Sequence, residues 1–350
     1  MLAVTFADLW FRARQFTIAV VGVGLVLALA LALSGLADGF RAETAATVDG
    51  VGATSWVLSR AAHGSVTAFG AFPQSDVATV AAEPGVHRSS PILFAAGQAV
   101  VRSGTTAPTW VDIVGVQPGG LGDPAVVAGH RIAGPDQIVV DSKLQGVPGG
   151  TLSLGHHGYA VVGIVDDRTM LGGTPLVYMP LASAQRLVTG GRPLVTAIAT
   201  SGTPTQAPAG LVVLSPASVI TYSTSELGSA VNSIDGTRTL MWIVAAVIVA
   251  FMLYVAALDR RRDFAVLKAL GASSAVLFGS LAIEAVVVTV IAALVAEIVA
   301  NFMTGMFQQV VDITPDARLA LPIVALVVGV IACVAALRRI TSADPAQAFG

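Results

Sequence analysis

Hydrophobic positions are distributed very unevenly along this chain. Between Arg14 and Asp38 lie 23 residues without a charge. As an α-helix at about 1.5 Å per residue they extend roughly 34 Å, enough to cross a hydrocarbon core of about 30 Å. Two more uncharged runs, residues 239–258 and 319–337, have similar spanning length. A fourth apolar stretch, 275–300, is interrupted by Glu284 and Glu297 but is otherwise continuous. The pattern therefore predicts four transmembrane helices, in chain order 15–37, 239–258, 275–300 and 319–337. The first apolar run is too long for the roughly 7–15-residue core of a cleaved signal peptide. Arg12 and Arg14 precede the first span, Arg260, Arg261, Arg262 and Lys268 join the second to the third, and Arg338 and Arg339 follow the fourth. The positive-inside rule puts all three clusters in the cytoplasm. Both termini are then inside, with 38–238 and the short loop 301–318 outside.

Within 38–238 the pattern changes to short β-branched runs separated by Gly, Pro and Asp: SWVL, PILFAAGQAVV, TWVDIVGV, QIVVD, YAVVGIVDD, PLVYM, LVTAIAT and LVVL. Such runs read as strands bounded by turns. Helices are expected at 75–82, at 180–188, which opens on a proline, and at 216–227, which Ser215 precedes. The fold class is thus a membrane protein with four transmembrane α-helices and a large α+β extracytoplasmic domain between the first and second. Small residues recur at helical spacing in three spans: Gly24, Ala28 and Ala32; Ala285, Thr289 and Ala293; Ala325, Gly329 and Cys333. They mark either close helix packing in lipid or merely an alanine-rich composition.

Composition agrees, with 55% hydrophobic and only 11% charged residues against about 25% charged in soluble domains. A formal net charge of −2 gives no basic face for nucleic acid. The single cysteine, Cys333, cannot form an internal disulfide, so packing alone must hold the outer domain. Catalytic constellations are missing: there is no HExxH, no GxSxG and no Gly-rich phosphate loop followed by Lys. His156 and His157 are adjacent, so on a strand they point to opposite sides, and a solvated turn explains them best. Asp166 and Asp167 end a strand and read as turn residues. Glu284, a carboxylate within a span, marks either a functional site or a structural pairing with a nearby cation.

The stretch most informative about mechanism is DRRRDFAVLKALGAS, Asp259–Ser273, on the cytoplasmic side. Phe264, Leu267 and Leu270 recur at helical steps, beside the basic Arg260, Arg261, Arg262 and Lys268, giving an amphipathic helix able to dock in a partner's groove. A basic patch on anionic lipid explains the three arginines alone but not the ordered apolar face and terminal glycine. This stretch resembles the signature R-R-x-E-I-x-x-L-R/K-A-L-G-A-S of FtsX-like and MacB-like ABC transporter permeases, the type VII or mechanotransmission family. Arg261 and Arg262 match its basic positions, Asp263 replaces the usual Glu, and Leu267, Lys268, Ala269, Leu270, Gly271, Ala272 and Ser273 complete it. LAIEAVVVTVIAAL around Glu284 is similar to the third-span pattern, with Ala292 and Ala293 where Gly is frequent. The tail with Arg338, Arg339, Asp344, Pro345 and Ala348 is similar to the closing segment of the family. FADLWFRARQFTIAVVGVGL resembles the amphipathic elbow helix, 1–14, that leads into the first span.

The resemblance implies a permease subunit without an ATPase site of its own, working as a homodimer or with a similar chain in a bacterial plasma membrane. Two copies of a separate ABC ATP-binding subunit would bind the ATP and Mg, and this chain would hold no cofactor. The cytoplasmic segment 259–274 would be the coupling helix, with Arg261, Arg262, Asp263, Phe264, Leu267, Lys268, Leu270 and Gly271 at the interface and 338–350 as a cytoplasmic tail. The output would be motion of the extracytoplasmic domain, for export or extraction of a lipid, peptide or drug-like substrate. The alternative is a cargo-free mechanotransmitter that activates a cell-wall hydrolase, an extracytoplasmic partner protein. An amino-acid importer fits worst, because such permeases have more spans and little outer domain.

Overall fold

The computed structural model describes residues 13–102, 108–144, 148–170, 172–226, 228–259, 274–304, 313–315, 317–319, 323 and 327. Residues 260–273 of the expected coupling segment, 1–12 of the elbow and the tail lie outside the described residues, as does most of the fourth span. The described chain divides into two units, one of residues 1–38 with 231–350 and one of residues 39–230.

The outer unit is built on thirteen described strands: β1 (Ser55–Ser59), β2 (Phe72–Pro73), β3 (Arg88–Arg102), β4 (Thr109–Val116), β5 (Ala128–Gly129), β6 (Gln137–Asp141), β7 (Thr151–Leu154), β8 (His157–Val165), β9 (Thr169–Met170), β10 (Thr174–Pro180), β11 (Leu194–Val195), β12 (Ala197–Ser201) and β13 (Leu211–Leu214); all but β2, β5, β7 and β9 fall on the β-branched runs read from the sequence. Pairing runs β3–β4–β10–β6–β8, and β7 joins β8 back to β3. Six strands therefore close into a ring, which removes their edges. β12, β1 and β13 extend the sheet outward from β3 as a wing. Two pairings in the ring are parallel, β10 on β4 with Val177 opposite Ile113, and β6 on β8.

Alternation along each strand separates two cores. Val100, Val111, Ile113, Ile138, Val140, Leu152, Val161, Val177 and Met179 share one cluster. Ile92, Phe94, Val114, Val116, Val139, Leu176 and Tyr178 share the other, completed by Val48 and Val219. Helix α2 (Asp76–Ala81) contributes Val80 and helix α3 (Leu181–Val188) contributes Ala184 to the first cluster. Gly115 admits α3 closely, since a Cβ there would come within 2.5 Å of the Ala184 methyl. Helix α4 (Pro216–Glu226) is capped by Ser215, whose Oγ accepts from the Ser218 N–H.

The other unit contains long apolar helices. Helix α1 runs unbroken from Ala13 to Gly50, α5 from Gly228 to Asp259 and α6 from Ser274 to Thr304. Among the described residues, three stretches are long and apolar enough to cross a membrane: Val20–Gly50, Asn232–Phe251 and Val286–Met303. Val23, Leu27, Ala28 and Leu31 of α1 pack with Ala245 and Val249 of α5 and with Ala292, Ala293, Ala296 and Ala300 of α6. Gly24 lets α1 and α6 approach closely, for a Cβ there would lie 3.0 Å from Val295 Cγ1 and 3.2 Å from the Ala292 carbonyl oxygen. Small residues thus serve packing between these helices, while Ile18, Leu25, Val247, Phe251, Leu294 and Ile298 stay exposed, an apolar exterior suited to lipid. Helix α1 does not stop at Asp38, where its uncharged run ends. It continues for three more turns as part of the outer unit.

Candidate functional site

Those last turns of α1 are where the outer unit holds a membrane helix. The segment is Ala-rich and carries neither Pro nor Gly between Phe40 and Asp49, so its helix propensity is high. Glu43, Thr44, Thr47 and Val48 lie at one- and four-residue steps and are all buried. They form an inward face on an otherwise exposed helix. Val48 enters the apolar cluster, and the polar three are matched by hydrogen bonds.

Glu43 is 5% exposed. Its Oε1 accepts from the Thr169 hydroxyl at 2.9 Å, and its Oε2 accepts from the N–H groups of Gly172 at 3.2 Å and Gly173 at 3.1 Å. Thr169 also receives the Thr47 hydroxyl on its carbonyl oxygen at 3.1 Å. The hairpin of β9 and β10 therefore grips two successive turns of α1. Gly172 and Gly173 have φ of +87° and +92°, in a region L side chains rarely adopt. Their consecutive N–H groups form a concave anion nest, filled here by the protein's own carboxylate. Phe40 packs against Gly172, where a Cβ would meet its ring at 3.0 Å.

The hairpin is fixed from behind. Asp141, fully buried at the end of β6, accepts the Arg168 N–H at 2.7 Å and the Lys143 N–H at 2.9 Å. This holds the turn at Asp166–Arg168, in which Asp167 takes a φ of 52°. The Arg168 guanidinium then donates to the Ala46 carbonyl and lies against Gly50, so a cation sits at the C-terminal end of α1, where the helix dipole favours it. On the other side the Gly122 N–H donates to the Val51 carbonyl at 3.0 Å.

Burial raises the Glu43 carboxyl above its ordinary value, against the opposing pull of Thr169, Gly173, Lys143 and Gly172. It also raises Asp141, opposed by the two backbone N–H groups and Lys143. A third buried carboxylate, Asp112 on β4, is 1% exposed. One oxygen accepts the Gly97 N–H at the β3 bulge at 2.8 Å, and the other has no partner among the described residues. Burial pushes its carboxyl up to about 6.

Comparison with known proteins sets this joint in context. Residues 16–211 match the MacB-like periplasmic core domain and residues 238–345 the FtsX-like permease C-terminal region. Two uncharacterized ABC transporter permeases of Mycobacterium tuberculosis strain H37Rv are 36% and 37% identical to this chain over 350 residues, each alignment covering 100% of this chain and 99% of the relative. The chain belongs to the FtsX/MacB-type ABC transporter permeases. Among solved structures, the periplasmic region of MacB from Actinobacillus actinomycetemcomitans superposes with a TM-score of 0.37 at 13% identity, covering 49% of this chain and 93% of that one. The extracellular domain of the noncanonic transporter YknZ from Gram-positive bacteria gives a TM-score of 0.34 at 12% identity, covering 46% and 99%.

Of the permease residues picked out by sequence, Arg261, Arg262, Asp263, Phe264, Leu267, Lys268, Leu270 and Gly271 lie outside the described residues. Glu284 lies on helix α6, with its side chain outside the description. His156 and His157 are exposed around the β7–β8 turn, and folding brings a distant carboxylate to one of them: His157 Nε2 is 2.9 Å from Asp136 Oδ1. No group of three or more His, Cys, Asp or Glu able to hold a metal occurs among the described residues. The permease residues that sequence reading missed are Glu43, Thr47, Arg168 and Thr169. Their signal was present in the helical spacing of Glu43, Thr44, Thr47 and Val48, next to a Gly-Gly pair 130 residues on.

Proposed function

We propose that this permease couples ATP hydrolysis by two copies of a separate ATP-binding subunit to motion of its extracytoplasmic domain, exporting or extracting a lipid, peptide or drug-like substrate. It works as a homodimer in the plasma membrane, with four spans and both termini in the cytoplasm. The helix bearing Arg261, Lys268 and Gly271 seats on the ATP-binding subunit. The observation that carries this reading is that α1 is a single helix from Ala13 to Gly50, so a lipid-compatible segment and an element of the outer unit's core belong to the same helix. An element shared in this way supports transmission of motion.

The experiment is purification of the tagged permease from native membranes, followed by ATPase assay of what accompanies it. The reading expects an ATP-binding subunit whose hydrolysis is uncoupled by Lys268→Glu and by Leu267→Pro, with the variants still in the membrane. Recovery without any ATP-binding subunit would overturn it, and recovery with a cell-wall hydrolase would replace transport by cargo-free transmission.

A further inference from the structure

A conformational signal that reaches the outer unit through α1 passes its last three turns, and the buried polar face of those turns is bonded to one hairpin. One carboxylate collects three donors from a single hairpin: the Thr169 hydroxyl and the N–H groups of Gly172 and Gly173. The same hairpin residue accepts the Thr47 hydroxyl one turn further along. Opening this contact would leave buried donors without partners, a cost that keeps such groups together. Small sliding of the helix is also resisted, because both carboxylate oxygens are already engaged in different directions.

Resting on the transmission reading above, we propose that Glu43 is a positioning residue that locks α1 to the β9–β10 hairpin, so that displacement of the first span is delivered to the outer domain through this joint. The Gly172–Gly173 nest has the geometry of an anion site and is occupied by an internal carboxylate, so its role is mechanical attachment. Asp141 and Arg168 serve the same joint from the hairpin's other side, one by fixing the turn and the other by reaching the end of α1.

The test uses the full permease with its co-purified ATP-binding subunit in lipid nanodiscs. A spin label is placed on the exposed Ala160 of β8, with Cys333→Ser removing the native thiol. The readouts are ATP hydrolysis and the ATP-dependent change in label-to-label distance between the two copies. With Glu43→Ala, hydrolysis should persist while the ATP-dependent change falls by at least half. Glu43→Gln, which keeps an acceptor oxygen, should restore most of it. Thr47→Val, which removes one hydrogen bond at nearly constant volume, should give a smaller loss and serves if Glu43→Ala does not assemble. A full distance change in whichever of Glu43→Ala and Thr47→Val assembles overturns the joint while leaving the transmission reading intact. No ATP-dependent change in the unmodified permease overturns that reading, and the joint with it.

Discussion

Two helices carry the chain between the membrane unit and the outer unit, and they are held very differently. Helix α1 ends inside the outer domain's packing, with Glu43, Thr44, Thr47 and Val48 buried. Helix α5, in its first turns after Val231, has Asn232, Ser233, Gly236 and Thr237 exposed. Its hydroxyls at Thr237 and Thr239 donate back to carbonyls one turn earlier in the same helix. Its ion pair, Arg238 with Asp235 at 3.1 Å, joins residues three apart. Side-chain bonding thus ties the end of α1 to a distant hairpin of the outer unit, whereas Arg238 of α5 reaches Ser34 on the apolar part of α1 at 3.4 Å. A helix can leave a membrane without being mechanically coupled to what lies beyond. Coupling to the outer domain requires long-range, desolvated contacts within it, and α1 makes them through Glu43 and Thr47.

The largest expected effect that would break this contrast is at Glu43. Glu43→Leu leaves two buried N–H groups and a hydroxyl without their acceptor, which should cost about 2–4 kcal/mol, read as a lower unfolding temperature of the detergent-solubilised permease. Thr169→Val removes one donor and keeps the carbonyl that receives Thr47, and should cost about 1–2 kcal/mol. At the other extreme, Asp235→Asn disrupts a half-exposed pair on α5 and should change stability by less than about 0.5 kcal/mol. An equal effect at Asp235 and Glu43 would erase the distinction between the two helices.

A control away from both helices concerns Asp112. Its folded carboxyl is pushed up to about 6 from an ordinary 3.8, so between these values the native state holds more protons than the unfolded state. Stability contributed at this site therefore falls as pH rises from about 4 to about 6 and is level above that. Asp112→Asn should remove this component. The difference between variant and unmodified permease in chemical denaturation should grow in favour of the variant across that window, and a difference independent of pH would contradict the burial argument.

Much of the outer unit was legible because alternation is a local signal. The runs around Trp56, Ile113, Val139 and Tyr178 became β1, β4, β6 and β10. β2, β5 and β9 were not, since two-residue strands carry no periodicity and exist only through their partners. The joint was hidden for a related reason. Its helix side was legible as spacing, but Glu43 and Gly172 stand 129 residues apart, and nothing in either segment names the other. The charges at Asp38, Arg41 and Glu43 mark the end of the apolar run, which reads as the end of the span; they do not end the helix. Folding turned one of those charges inward.

Amide hydrogen exchange on the intact permease reads the difference between the two helices residue by residue. Residues 39–50, with Gly172 and Gly173, should exchange as slowly as the core strands β4 and β10, while residues 232–238 exchange faster. Rapid exchange across 39–50 and at Gly172 and Gly173, matching that of 232–238, would contradict that difference.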